Sequence, residues 1–233
     1  MEEPLQQGQF FLIDKPYGWT SFDVVSKMKG FIKHQMGIPK IKIGHAGTLD
    51  PLATGLLIVC TGKQTRQIEQ FQALEKEYTG TFYLGMTTPS YDLEKEPDTI
   101  FPTDHLSREL MEEAALKLSG DQMQLPPVFS AVKVGGKRLY EYARKQKDVT
   151  LTPRPVKISV FELGRLEMPE LDFRVICSKG TYIRALARDF GQACGSGAYL
   201  LKLCRTRIGP YSLNEALSIA QWSALMEGKM QNL

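Results

Sequence analysis

Asp50 lies in the run Gly44-His45-Ala46-Gly47-Thr48-Leu49-Asp50-Pro51-Leu52-Ala53-Thr54-Gly55, with glycines on both sides and a proline directly behind it. Glycine lets backbone approach a neighbour closely or take positive φ, and proline pushes the residue before it towards an extended conformation. A carboxylate held in this way, with Leu56-Leu57-Ile58-Val59 straight after it, is expected to be presented beside a buried strand. Such an acid can act as nucleophile or base if an arginine keeps it ionised, because an opposite charge nearby favours the carboxylate. The plainer reading is a hairpin connection whose Asp bonds its own backbone. Arg184, at the start of an expected helix after Ser178-Lys179-Gly180-Thr181, is the best candidate partner. Arg188, one turn on, competes for that role, and a solvated helix surface is the alternative for Arg184.

Other chemistries find little support. His34, His45 and His105 are the only histidines, and none has a second histidine at ligand spacing. Cys60, Cys177, Cys194 and Cys204 form no C-x-x-C pair, so neither zinc nor a disulfide scaffold is expected. No G-x-G-x-x-G follows a strand, and Gly62-Lys63-Gln64-Thr65 lacks the spacing of a phosphate-binding loop. A serine elbow of the form G-x-S-x-G is also absent.

The elements that must position Asp50 read as follows. Phe10 to Ile13 is a buried strand ending in the turn Asp14-Lys15-Pro16-Tyr17-Gly18. Thr20 and Asp23 form a capping box for a helix to about His34, with Val24, Val25, Met28, Phe31 and Ile32 at helical spacing. Ile41-Lys42-Ile43 is a short strand feeding the Asp50 segment, and Gly55 to Cys60 a buried one. A helix carrying Ile68, Phe71 and Leu74 precedes an alternating strand from Glu77 to Leu84. Residues 87–106 read as a long loop, and Leu110 to Leu118 as a helix. From Gly120 to about Thr152 the pattern weakens: a strand from Ser130 to Val134, a tight turn at Gly135-Gly136 and a short helix around Leu139 to Ala143 suggest an inserted arm. Strands at 156–160 and 171–177, a helix from Ile183 to Phe190, a strand from Leu201 and a closing helix capped by Asn214 complete the chain. Strands and helices mix without steady alternation, which gives the α+β class, one mixed sheet with helices packed on it.

The 233 residues suit one large domain or two small ones. No apolar run reaches the roughly 18 residues of a membrane helix, and Met1-Glu2-Glu3-Pro4 lacks a signal-peptide plan, so the cytoplasm is expected. The net charge of +3 is distributed unevenly. Residues 92–113 carry eight acids and two bases, residues 128–157 eight bases and two acids, and residues 174–207 seven bases and Asp189 alone. Two basic segments are a plausible footprint for phosphates, with solvated surface as the alternative.

Four segments in order, Lys15-Pro16-Tyr17-Gly18-Trp19-Thr20-Ser21, Gly44 to Gly55, Lys76-Glu77-Tyr78 and Ser178-Lys179-Gly180-Thr181-Tyr182-Ile183-Arg184, resemble the TruB family of tRNA pseudouridine synthases. The resemblance runs from about Gly8 to Tyr211, and the turn reading of Asp50 explains none of the other three segments. It implies a pseudouridine synthase fold, a mixed and mostly antiparallel central sheet flanked by helices, in one catalytic domain over 1–233 with an inserted RNA-binding arm at about 120–152. The activity it implies is isomerisation of uridine 55 in the tRNA T-loop, without a cofactor or metal. Asp50 matches the family's catalytic aspartate, Tyr78 the tyrosine stacked on the target uracil, and Arg184 the arginine paired with that aspartate. Tyr182 belongs to the same wall, Leu203 matches a pocket leucine, and His45 matches the histidine that holds extruded loop nucleotides. Lys15, Lys133, Lys137 and Arg138 are then expected on phosphates.

The chain departs from the fuller family pattern in one respect. After Tyr211 only 22 residues remain, too few for the RNA-binding PUA domain that many members carry, so recognition is expected to rest on the T-arm. A monomer acting on tRNA with no obligatory protein partner is expected. The alternatives are a guide-RNA-dependent synthase subunit and a non-catalytic tRNA-binding or tRNA-folding protein.

Overall fold

The strand after Asp50 is apolar on both faces because each face meets a different cluster. In the computed structural model, which describes residues 2–129, 133–134, 137–138 and 151–231, it runs from Thr54 to Thr61. Leu57 and Val59 face Ile13, Val24, Met28, Ile32 and Trp222, while Leu56, Ile58 and Cys60 face Ala46, Phe71 and Ile208. A run without polar alternation is what burial on both faces requires.

In chain order the elements are α1 Glu2–Gln7, β1 Phe10–Lys15, α2 Ser21–His34, β2 Ile43–His45, β3 Thr54–Thr61, α3 Ile68–Ala73, β4 Lys76–Leu84, β5 Met86–Thr87 and β6 Thr99–Ile100. They continue with α4 Arg108–Lys117, β7 Gly120–Gln124, β8 Lys133–Val134, β9 Lys137–Arg138, β10 Arg154–Glu167, β11 Glu170–Cys177, α5 Ile183–Ala193, β12 Ala198–Ile208, β13 Tyr211–Ser212 and α6 Ile219–Gln231. The chain divides into two compact units, the first Met1–Tyr78 with Leu203–Leu233, the second Thr79–Lys202. No helix among the described residues is long and apolar enough to cross a membrane.

In the first unit β1 pairs antiparallel with β3 from Phe10↔Cys60 to Lys15↔Gly55, and β2 pairs antiparallel with β3 through His45↔Val59. The last part of β12 runs parallel to β3, with Arg205 opposite Gly55. That pairing demands glycine: Gly55 has φ +104°, and a Cβ there would lie 2.4 Å from the Arg205 carbonyl oxygen. Helix α2 opens with the expected capping box, Thr20 Oγ1 accepting from Asp23 N at 3.0 Å and Asp23 Oδ2 accepting from Thr20 N at 2.8 Å. It buries Val24, Val25, Met28 and Ile32. The closing helix does not start at Asn214, which lies in a short 3-10 turn capped by Ser212. Ser218 Oγ instead accepts from Gln221 N at 3.2 Å, and α6 follows with Trp222 fully buried.

In the second unit β4, β11, β10 and β7 are successive neighbours in the sheet. Gly80 of β4 admits the Lys202 carbonyl, which a Cβ would meet at 2.3 Å. Phe82 stacks on Phe173 with centroids 4.1 Å apart, and Phe190 of α5 packs on Phe82 at 5.4 Å. Two expectations need correction. The long loop at 87–106 is joined at its start and middle by the β5–β6 pair, Thr87 opposite Thr99. Strand β7, for which the sequence pattern gives no sign, pairs with β10 from Gly120↔Ile158 to Gln124↔Arg154. In the arm, β8 and β9 pair Lys133↔Arg138 and Val134↔Lys137 around Gly135-Gly136, while the helix expected around Leu139 to Ala143 lies outside the described residues.

Candidate active site

Asp50 sits on the loop between β2 and β3, and its neighbours are bonded to three separate parts of the first unit. Ser21, the first residue of α2, accepts from Leu49 N at 2.8 Å and donates back to Leu49 O at 3.3 Å. Behind Asp50, the Pro51 carbonyl accepts from Gly18 N at 2.9 Å and from Lys15 Nζ at 3.3 Å. Asp50's own carbonyl accepts from Ala53 N at 3.1 Å. Arg205, 1% exposed, donates to Gly47 O at 3.1 Å and to Leu56 O at 2.8 Å, so one guanidinium ties both ends of the Gly47-to-Leu56 segment. The backbone on both sides of Asp50 is thus hydrogen-bonded at several points, which fixes where the loop presents this residue.

The charges around this loop are interior ones. Lys15, expected on phosphate, is instead fully buried, its Nζ donating to the carbonyls of Trp19 at 2.6 Å, Pro16 at 3.0 Å and Pro51 at 3.3 Å. Three carbonyls and no path to solvent make it a clamp on the turn, which corrects the phosphate assignment. Burial pushes its pKa down from 10.5 to about 8; the Asp50, Asp14 and Asp23 carboxylates oppose that fall and Arg205 adds to it. His45, on β2, is also held below the ordinary histidine value, first by burial and then by the Arg205 charge, with the Gly47 backbone opposing. Its Nδ1 is buried with no hydrogen-bond partner among the described residues. The neutral imidazole is therefore the favoured form, suited to a hydrogen-bonding rather than a cationic role.

Tyr78 and Leu203, each 9% exposed, end the two chain segments of the first unit. Their neighbours are anchored: Lys76 Nζ donates to the Gln72 and Leu74 carbonyls, Thr206 Oγ1 donates to Glu77 Oε1 at 2.8 Å, and Thr54 Oγ1 donates to Leu203 O at 3.4 Å.

In the second unit Tyr182 is the N-cap residue of α5 and Arg184 lies in its first turn. The buried Gln124 amide brackets Tyr182, accepting from its N–H at 2.8 Å and donating to its carbonyl at 3.1 Å. Arg184 is 4% exposed, which removes the solvated-surface alternative. Its Nε lies 3.5 Å from Asp92 Oδ2, and the same guanidinium donates to Ser90 O at 3.2 Å and Phe129 O at 2.9 Å. Arg188, the competitor, is engaged by Asp189 at 2.7 Å, by Leu125 O at 3.0 Å and by the Tyr91 ring, 5.1 Å from its guanidinium carbon.

Four residues that shape this arrangement are not marked out by the sequence pattern: Ser21, Asp92, Gln124 and Arg205. Ser21 stands within the first motif without an evident role, Asp92 among the acids of a loop, and Arg205 among apparent surface bases. The basic segment 174–207 is thus partly interior, since Arg184 and Arg205 are both buried. The side chains of Lys133, Lys137 and Arg138 lie outside the described part of the structure.

Residues 33–183 match the family described as TruB family pseudouridylate synthase (N terminal domain). A protein of Flavobacterium johnsoniae named tRNA pseudouridine synthase B is 53% identical over 218 residues, covering 93% of this chain and 95% of its own length. Its namesake from Phocaeicola vulgatus is 55% identical, covering 92% of this chain and 91% of its own length. Among solved structures, a chain in a Cbf5-Nop10-Gar1 complex aligns with TM-score 0.75 at 28% identity over all of this chain, which spans 59% of that one's length. Half-identity to these relatives along nearly the whole chain, with the family match over residues 33–183, means that the chain belongs to the TruB family of pseudouridylate synthases, which are isomerases.

Proposed function

We propose that this protein converts uridine 55 of the tRNA T-loop to pseudouridine, with Asp50 carrying the chemistry. The observation behind this reading is the loop itself: one carboxylate between Leu49, bonded to Ser21, and Pro51, bonded to Gly18 and Lys15, in a chain about half identical to proteins named tRNA pseudouridine synthase B. The reaction breaks the bond between ribose C1′ and uracil N1, turns the base and joins C1′ to C5. The C5 proton leaves and N1 gains one, so the product is an isomer and no electrons are exchanged.

A T-loop base must be extruded before C1′ and C5 can be reached. In this reading Asp50 works at C1′, the extruded uracil stacks on the Tyr78 ring beside Leu203 and Tyr182, and the ring is close by when the C5 proton departs. The resemblance gives Arg184, whose Nε lies 3.5 Å from Asp92 Oδ2, the role of keeping the Asp50 carboxylate ionised. His45 bonds extruded loop nucleotides in its neutral form. Lys133, Lys137 and Arg138 of the arm serve phosphates, so Lys137→Ala with Arg138→Ala weakens binding and flattens its salt dependence. The protein acts in the cytoplasm as a monomer, with no obligatory protein partner and no cofactor. Identities of 53% and 55% to the tRNA-named relatives, against 28% to the Cbf5 chain, favour free tRNA over a guide-RNA assembly.

Pseudouridine mapping in tRNA exposed to the purified protein tests the proposal. Product is expected at position 55 alone. With Asp50→Asn it vanishes, while affinity for a T-arm stem-loop stays within about tenfold because phosphate contacts supply most of the binding. Turnover by that variant, or modification elsewhere, overturns the assignment.

A further inference from the structure

We infer that Tyr17 and Phe22 form a stacking surface for unpaired nucleobases of the RNA next to the one presented to Asp50. This rests on the reading that the substrate is an RNA loop. Tyr17 is 61% exposed and Phe22 71% exposed. Among the described residues neither ring packs on another ring or carries a cation. Two rings left in water, Tyr17 on the turn after β1 and Phe22 in the first turn of α2, are unusual, because aromatic side chains gain most from being covered.

Their placement indicates what covers them. Tyr17 directly precedes Gly18, whose N–H donates to Pro51 O at 2.9 Å. Phe22 directly follows Ser21, whose hydroxyl accepts from Leu49 N at 2.8 Å. The chain neighbours of the two rings are thus bonded to the two chain neighbours of Asp50. Standard bond lengths along that path keep the Tyr17 Cα within about 12 Å of the Asp50 Cα. The turn is itself fixed, by the Lys15 clamp on Pro16, Trp19 and Pro51 and by the Thr20–Asp23 capping box, so the rings are held on a rigid support.

The local charges select the occupant. Lys15 is buried; the exposed charges nearest the rings in sequence are the acids Asp14 and Asp23, and the exposed lysines of α2, Lys27 and Lys29, follow more than one helical turn after Phe22. Apolar ring faces next to carboxylates do not suit phosphates or an anionic membrane surface; they do suit neutral nucleobases, whose faces stack on an aromatic ring regardless of sequence. Extruding one uridine leaves its neighbours unstacked, and such bases gain from a new partner. Tyr17 and Phe22 would therefore lower the cost of opening the loop without touching the reacting base.

The test compares wild type with the Tyr17→Ala/Phe22→Ala double variant on a T-arm stem-loop carrying 2-aminopurine next to the target uridine. The double variant is expected to bind roughly five- to a hundredfold more weakly. It also loses the fluorescence change of the neighbouring base, while its melting temperature and its turnover at saturating RNA stay near wild type. Tyr17→Phe with Phe22→Tyr restores binding. If wild type forms pseudouridine and the Ala variant binds and quenches equally well, the inference falls while the functional reading stands. If wild type neither binds nor modifies the RNA, both fall. A change in oligomeric state with RNA affinity unaltered makes the rings a contact between copies of the chain and overturns the inference.

Discussion

Arg205 donates to the Gly47 carbonyl at 3.1 Å across 158 residues of sequence, and its Nε holds the Leu56 carbonyl at 2.8 Å. The loop that presents Asp50 is therefore closed by a side chain from the far end of the chain. Arg205→Met leaves two carbonyls without their donor, each costing about 1–3 kcal/mol if it stays buried, with some return from no longer burying a charge. The expected result is a fall in kcat for pseudouridine formation larger than any rise in KM. Arg205→Lys, which keeps the charge and loses the two-carbonyl reach, is expected to recover little. Steady-state kinetics on a stem-loop, with urea unfolding alongside, separates loop positioning from loss of fold.

Lys15 gives a pH signature with a definite sign. Its folded-state pKa is about 8 against 10.5 when exposed, so between those values the unfolded chain holds a proton that the folded protein has lost. Stability contributed by this position therefore rises as pH climbs from about 8 to 10.5, by on the order of 3 kcal/mol in total, and is flat below that window. Lys15→Met removes the rise. Urea midpoints of the two proteins, followed from about pH 7 to 10.5, should move apart as pH increases. A constant difference across that range contradicts the burial argument.

Much of the scaffold is legible because it rests on local pattern. The apolar run of β3, the alternation of β11 and the Thr20–Asp23 capping box each determine their element within a few residues. Strand β7 is not, since Gly120-Asp121-Gln122-Met123-Gln124 has no apolar run and owes its conformation to pairing with β10. Asn214 and Ser218 are both plausible caps, and only the bond from Gln221 N to Ser218 chooses between them. Lys15 and Arg205 read as surface cations because the carbonyls that hold them come from elsewhere in the chain. Asp50 is legible as a presented acid beside a buried strand; the residues that fix it are not, since Ser21 lies 28 positions from Leu49.

The buried pair of Arg184 and Asp92 separates structure from chemistry in a way that single variants cannot. Their side chains are 5% and 4% exposed and their closest atoms are 3.5 Å apart. Removing one partner takes the ion pair from a buried charge, so Asp92→Ala is expected to lower unfolding free energy by about 3–5 kcal/mol. Replacing both, as Asp92→Leu with Arg184→Met, exchanges the pair for apolar packing of similar volume and should return most of that stability. If Arg184 also serves Asp50, the double variant stays inactive although it is well folded, because no cation remains at its position. Urea unfolding and pseudouridine formation on the same preparations decide this. Activity returning together with stability would make Arg184 a structural residue alone, and would leave the charge on Asp50 to be balanced by groups of its own loop.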